Sequence, residues 1–157
     1  MTPAIKLAEQ QQIQFKLHPY DHDSSNQDYG NEAVAALGVA AEQVFKTLVV
    51  ALDTGQLAVA VLPVANQLSL KLCAKAFSTK KASLADKTKV ERSSGYVLGG
   101  VSPLGQKRLL PTVIDESAQA FSTIYISAGK RGLDIELQPS DLARLTKAEF
   151  LPLALQS

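Results

Sequence analysis

The sequence predicts an α+β domain: a mixed, mainly antiparallel β-sheet or barrel flanked by helices. Three observations carry that expectation. Apolar runs of strand length interleave irregularly with short helical patterns, unlike a regular strand–helix–strand series. Two pairs of strand-like runs are joined by tight turns, Asp53-Thr54-Gly55 and Gly129-Lys130-Arg131-Gly132, which reads as two hairpins. The 157 residues are 46% hydrophobic, with no internal repeat and no linker rich in Gly, Pro and Ser, so a single domain over 1–157 is expected.

The elements follow in order. Thr2 and Pro3 form a helix start, cap and first turn, with the helix running to about Gln12 and turning Ile5 and Leu7 or Ala8 inward. Residues 13–17 alternate with period two and predict a strand. The polar stretch 21–30 reads as a loop, and Asn31 as the cap of a short helix through Leu37 that ends at Gly38. Runs 44–52 and 57–62 are apolar, with 44–52 rich in β-branched residues, and predict buried paired strands. Leu68 to Phe77 predicts a basic amphipathic helix, and Leu84 to Arg92 another. Short strands are expected at 96–98, 112–114, 123–126 and 133–137, then a final helix opened by Pro139 with Ser140 or Asp141.

Several function classes are excluded early. No run approaches the roughly 18 apolar residues needed to span a bilayer. The opening MTPAIKLAEQQQ has no apolar core of signal length, so a cytoplasmic protein without membrane association is expected. One cysteine, Cys73, cannot close an internal disulfide, and it reads as a small buried hydrophobe rather than a nucleophile. His18 and His22 lie four apart, but Pro19 breaks a helix there and no third histidine exists, so no metal site or other cofactor is expected.

The net charge of +1 hides an uneven distribution. Residues 1–70 carry −4, residues 71–108 carry +7 and residues 109–157 carry −2. A basic middle fits an anionic partner, although a solvated lysine-rich surface is the commoner origin of such a pattern.

Three segments can carry chemistry. Lys46 lies inside the apolar strand FKTLVVAL; taken alone it reads as a gatekeeper on an edge strand, and with other residues as a pocket lysine that meets a phosphate or carbonyl oxygen. The run from Gly99 to Arg108 has glycines that permit close backbone approach and free N–H groups, followed by Lys107 and Arg108; an ordinary long loop is the plain alternative. Ser127 ends a strand before the basic Gly129–Gly132 turn, and Asp134 alternates with Leu133 and Ile135 and so projects to the opposite face. No Ser-His-Asp order, Cys-His pair or carboxylate pair stands out.

The opening TPA, the strand VFKTLVV, the stretch GYVLGGVSPLGQK, the block LPTVIDESA and the run IYISAGKRGLDIEL occur together and in this order. In that combination the chain resembles the YbaK family of bacterial Cys-tRNA(Pro) deacylases, related to the editing domain of prolyl-tRNA synthetases, over about residues 2–150. The resemblance implies an aminoacyl-tRNA hydrolase that clears cysteine mischarged onto tRNA(Pro), with an α+β fold and no metal. It implies catalytic roles for Lys46 and the N–H of Gly100. It places Tyr20, Tyr29, Thr47, Ser127 and Asp134 at the substrate, with Tyr29 standing where the family carries phenylalanine. It also implies substrate-thiol assistance: the cysteine thiol attacks its own ester, a lyase-like step through a cyclic thioester.

On that reading the basic segment meets tRNA through Lys71, Lys75, Lys80, Lys81, Lys107 and Arg108, with Lys130 and Arg131 near the 3′ end. Prolyl-tRNA synthetase is the expected protein partner, in a complex that supplies tRNA identity. Two alternatives stand beside it: a deacylase for Ala-tRNA(Pro) or other mischarged tRNAs, and a non-catalytic module that binds tRNA or synthetase.

Overall fold

A computed structural model describes residues 1–155; the expected domain extends to 157, and its last two residues lie outside the described residues. Among the described residues the architecture is α+β, with two sheets and five α-helices. Helix α1 (Pro3–Gln10) starts as predicted, the Thr2 hydroxyl accepting from the Ile5 N–H at 3.2 Å, and buries Ala4, Ile5 and Ala8. Strand β1 (Phe15–Pro19) leads through a polar loop to α2 (Tyr29–Leu37), which ends at Gly38 with a left-handed φ of 68°. Strands β2 (Phe45–Leu52) and β3 (Leu57–Pro63) form the first hairpin.

Helix α3 (Leu70–Ala76), strand β4 (Ala82–Leu84) and helix α4 (Lys87–Ser94) follow. Strand β5 (Thr112–Asp115) passes into a 3-10 turn at Glu116–Ala120. The second hairpin joins β6 (Ile124–Lys130) to β7 (Leu133–Leu137), and α5 (Pro139–Thr146) and β8 (Glu149–Leu151) close the described chain. Among the described residues no helix is long and apolar enough to cross a membrane.

One sheet has the order β1-β7-β6 and is antiparallel throughout. The other has the order β4-β2-β3-β5-β8, antiparallel across β4, β2 and β3 and parallel from β3 to β5 and β8. Strand β3 shows how the sequence specifies the layers. Val59 and Val61 enter one core cluster with Ile5, Ile124, Ile126 and Ile135; Ala58, Ala60 and Leu62 enter a second with Val50, Cys73 and Leu153. A strand buried on both faces reads as a continuous apolar run, which LAVAVL is. The sheets meet at a short seam. Val44 bridges Tyr125, the Tyr125 N–H donates to the Gln43 carbonyl at 3.1 Å, and Gln43 Nε2 donates to the Thr123 carbonyl at 2.9 Å.

Several expectations are corrected. Residues 96–98 form a bend and turn, not a strand: Tyr96 is buried with its hydroxyl on the Leu104 carbonyl at 2.6 Å, while Val97 and Leu98 are exposed. Leu84 belongs to β4, and α4 begins only at Lys87, where the Asp86 carboxylate caps the Lys89 N–H at 2.9 Å. Helix α3 covers 70–76, inside the predicted 68–77, because Ser69 caps the Leu72 N–H. Helix α2 starts at Tyr29, before Asn31, whose side-chain amide instead donates to Asp28 at 2.9 Å. The short edge strands β4 and β8 lack a sequence signal of their own and are fixed by their neighbours.

Asp115 fastens the C-terminal segment. It is 4% exposed and accepts from the N–H groups of Leu153 at 2.8 Å, Ala154 at 3.2 Å and Ser117 at 3.2 Å, and from the Ser117 hydroxyl at 2.6 Å. Asp115→Ala strands these buried donors and is expected to cost about 2–4 kcal/mol. Urea unfolding measures this, and a loss below about 1 kcal/mol would show that the segment is held by other contacts.

Candidate active site

A cavity of about 370 Å³ opens between the start of α2, the start of β2, the 97–101 loop and the paired ends of β6 and β7. Tyr20, Tyr29, Lys46, Thr47, Ser127 and Asp134 all line it, six positions spread over more than a hundred residues of sequence. Strand pairing assembles them. Asp134 on β7 is directly opposite Ser127 on β6, and paired residues share a face, so both project away from the Ile126–Ile135 core. Past Ser127 the β6–β7 register shifts by a bulge, where the Gly129 N–H donates to Ser127 Oγ at 3.1 Å. The β2 strand leaves the seam at Val44 and delivers Lys46 and Thr47 beside them.

The electrostatics are those of a site short of partners. Asp134 is 4% exposed, its carboxylate makes no hydrogen bond among the described residues, and burial pushes that carboxyl from 3.8 up to about 7. The Tyr20 hydroxyl rises to about 12, through burial first and the nearby Asp134 carboxylate second. Burial lowers the Lys46 ammonium and the Asp28 carboxylate opposes that shift. Thr47 Oγ1 is buried without any hydrogen-bond partner. A ligand with an anionic or carbonyl oxygen near Lys46 and Thr47 and a cationic group near Asp134 would satisfy those three side chains.

The cross-strand row through Asp134 continues to His18 on β1, giving Ser127, Asp134 and His18 side by side. That order does not make a catalytic triad. The carboxylate stands in the middle, His18 is two strand spacings from Ser127 (about 10 Å), and its Nε2 is 2.9 Å from Glu136 Oε1. His22 is exposed in the loop, and among the described residues no three His, Cys, Asp or Glu side chains converge as metal ligands would. Cys73 is fully buried in the second core cluster, where burial pushes its thiol up to about 11.

Two expected roles need correction. The Gly100 N–H is not free: it donates to the Val97 carbonyl at 3.0 Å. Glycine is required there for packing, since a Cβ would lie 2.7 Å from Lys130 Cα and 2.9 Å from the Arg131 nitrogen. Its neighbours Gly99 and Val101 line the cavity, and their N–H groups have no recorded acceptor among the described residues. Arg131, expected at the tRNA, is 16% exposed and turned inward onto Glu32, with Nη2 at 3.0 Å and Nε at 3.2 Å from Oε1, so its charge is paired within the protein.

The remaining cations, Lys71, Lys75, Lys80, Lys81, Lys107, Arg108 and Lys130, are exposed and make no salt bridge among the described residues. They do not form one cluster around the cavity. Lys130 sits against Gly100, and the backbone N–H groups of Lys107 and Arg108 donate to Ser94 and Ser93 beside the 95–101 loop. Lys80 and Lys81 precede β4, which pairs with the Leu52 end of β2, about 20 Å along the strand from Lys46. Sequence reasoning missed Asp28, Val64, Leu98 and the exposed Lys87, Lys89 and Arg92 of α4. The α4 cations belong to the same +7 segment, so the charge count was the available signal.

The raised Asp134 carboxyl has a thermodynamic consequence. Between 3.8 and about 7 the folded protein holds a proton at Asp134 that the unfolded chain releases, so this group's contribution weakens as pH rises through that window. Asp134→Asn is therefore expected to gain stability relative to wild type from pH 4 to pH 8, by up to about 4 kcal/mol. Carboxylates held low, such as Glu136, titrate in both proteins and drop out of the difference. Denaturant unfolding of the pair at both pH values is the measurement, and a pH-independent difference would place Asp134 in a polar, ionised environment.

Comparison with known proteins identifies the family and the fold. Residues 26–145 match the aminoacyl-tRNA editing domain family. A protein of Enterococcus faecalis named EbsC, described as a candidate Cys-tRNA(Pro)/Cys-tRNA(Cys) deacylase, is 39% identical over 150 residues, covering 95% of this chain and 90% of its own. The crystal structure of a hypothetical protein superposes with a TM-score of 0.87 at 22% identity, over 98% of this chain and 99% of the other. That of a candidate trans-editing enzyme for prolyl-tRNA synthetase gives 0.81 at 21%, over 99% of both chains. At those identities the two structures speak for the fold, and it is the family match together with the Enterococcus relative that settles membership: this chain belongs to the aminoacyl-tRNA editing domain family.

Proposed function

We propose that the chain is a deacylase acting in trans on Cys-tRNA(Pro), with residues 1–157 as one cytoplasmic editing unit. The carrying observation is the cavity, which gathers Lys46, Thr47 and Asp134; among the described residues the Thr47 hydroxyl and the Asp134 carboxylate have no hydrogen-bond partner there, and no nucleophile–base pair lines it. The Enterococcus relative is named for two tRNAs and one amino acid, which supports a site that reads the cysteinyl group.

The substrate then supplies the missing nucleophile. Its thiol sulfur attacks its own ester carbonyl, the C–S bond forms, the C–O bond to the ribose breaks, and the thiol proton ends on the ribose oxygen. The products are tRNA and a cyclic thioester, which water opens to cysteine. The protein's part is placement and charge. Lys46 faces the developing oxyanion, helped by the N–H groups of Gly99 or Val101 in place of Gly100, and Thr47 lines the cavity beside it. The Asp134 carboxylate receives the α-ammonium group, and Tyr20, Tyr29 and Ser127 bound the side chain. Phosphate contacts give affinity without tRNA identity; prolyl-tRNA synthetase supplies that, as the partner that delivers the substrate.

Deacylation of Cys-, Ala- and Ser-tRNA(Pro) by wild type and Lys46→Ala tests the reading. Cys-tRNA(Pro) should be cleared well ahead of the others, and Lys46→Ala should lower the rate about 100-fold or more. Equal rates on Ala-tRNA(Pro) would exclude the thiol step, and no hydrolysis of any substrate would exclude the enzyme.

The distance of Lys80 and Lys81 from Lys46 supports a reading of them as acceptor-stem rather than 3′-end contacts. Neutralising both should weaken tRNA binding and reduce the slope of log affinity against log salt by roughly one to two. An unchanged slope in a filter-binding titration removes them from the footprint.

A further inference from the structure

Three wall segments of the cavity meet around one side chain. The 20–32 segment supplies Tyr20, Asp28 and Tyr29, the 97–101 loop supplies Leu98, Gly99 and Val101, and the β6–β7 hairpin supplies Ser127 and Asp134. Arg131, at the tip of that hairpin, reaches into the first segment. Its Nε and Nη2 contact Glu32 Oε1 at 3.2 and 3.0 Å, and Nη2 also donates to the carbonyls of Asp23 and Asn26. Its guanidinium lies 4.8 Å from the centre of the Tyr29 ring. The Cε1–Cζ edge of that ring lies against Gly99, where a Cβ would stand 3.2 Å from both atoms, and Gly100 in turn packs on the backbone of Lys130 and Arg131. The contacts close a loop: hairpin to Arg131, Arg131 to Tyr29, Tyr29 to Gly99, and Gly100 back to the hairpin.

Little else holds the first segment. Residues 21–28 are polar, mostly exposed and without regular structure, and their other bonds are mainly local, such as Asp23 to Ser25 and Asn26 to Asp28. Glu32 Oε2 also accepts the Asp23 N–H at 3.0 Å, so the Arg131–Glu32 pair gathers both ends of the loop.

We infer that Arg131 is a positioning and specificity-determining residue: its forked guanidinium fixes the 21–32 segment and the Tyr29 wall, and so sets the width of the cavity that selects the aminoacyl side chain. The role depends on fork geometry and not on charge alone, because a lysine ammonium cannot hold one carboxylate oxygen, two carbonyls and an aromatic face together. The specificity part rests on the deacylase reading above; the wall-fixing part does not.

The test compares Arg131→Ala, Arg131→Lys and Glu32→Gln with wild type by hydrogen exchange and by deacylation of Cys- and Ala-tRNA(Pro). All three should raise exchange in residues 21–32 about tenfold or more with the rest of the fold unchanged. They should also cut the Cys-over-Ala ratio of kcat/KM about tenfold, at an unaltered salt dependence of KM. Glu32→Gln belongs in the set because its single amide oxygen cannot serve both Arg131 and the Asp23 N–H. Wild-type exchange and selectivity in Arg131→Lys would overturn the proposal, since charge alone would then suffice. Tighter tRNA binding by Glu32→Gln, with exchange unchanged, would overturn it in favour of a phosphate-reading arginine. If wild type clears no aminoacyl-tRNA, the deacylase reading fails while the exchange arm still decides whether Arg131 holds the wall.

Discussion

The molecule depends on the seam between its two sheets. Neither sheet alone makes a site: the three-stranded one offers a polar face, and the five-stranded one is apolar on both sides of β3. The cavity forms where Gln43 and Val44 grip Thr123 and Tyr125 and bring the start of β2 against β6. Lys46 and Thr47 follow two and three residues beyond Val44, and Ser127 two beyond Tyr125, so the grip sets the depth at which all three enter. Because strands alternate faces, a slip of one residue would bury the wrong set. Val59 and Val61 packing on Ile124, Ile126 and Ile135 holds the sheets together, and the Gln43–Val44 grip sets the register in which side chains share the cavity.

Buried polarity is distributed unevenly, and the pattern separates structure from function. Away from the cavity, buried hydroxyls and carboxylates are satisfied. Ser94 donates to the Val90 carbonyl, Thr112 to Leu110, Thr146 to Leu142, and Asp115 collects several donors. Along the cavity, Thr47 Oγ1 has no partner and the Asp134 carboxylate makes no hydrogen bond among the described residues. Leaving such groups unpaired costs about 1–3 kcal/mol each. A fold with no use for the cavity would fill it with aliphatic side chains. Local violation of an otherwise consistent pattern is where binding chemistry resides.

Much of this was legible in the chain. The FKTLVVAL and LAVAVL runs gave the first hairpin, the Gly-flanked basic turn the second, and the parity of Leu133, Asp134 and Ile135 sent the aspartate to the face opposite the core. Long-range reach was not legible. Arg131 reads locally as a basic turn residue, yet its carboxylate partner is 99 positions away, and no periodicity connects them. Gly100 shows a subtler limit. Its need for a bare backbone was apparent, but whether its N–H faced a ligand or closed a turn depended on Val97, whose strand-like neighbours proved to be a loop. The two edge strands of three residues each carry too little pattern to be distinguished from the turns beside them.

Cys73 lies on the buried face of α3, and its placement has a chemical consequence for an enzyme of the proposed kind. A cyclic thioester acylates an accessible thiolate by exchange, the protein sulfur taking the acyl group as the substrate's own thiol is released. This chain's sole sulfhydryl is 0% exposed and held in its neutral form by burial. The catalyst therefore offers no thiolate to the electrophile it would release, so acyl exchange onto a protein sulfur does not compete with hydrolysis.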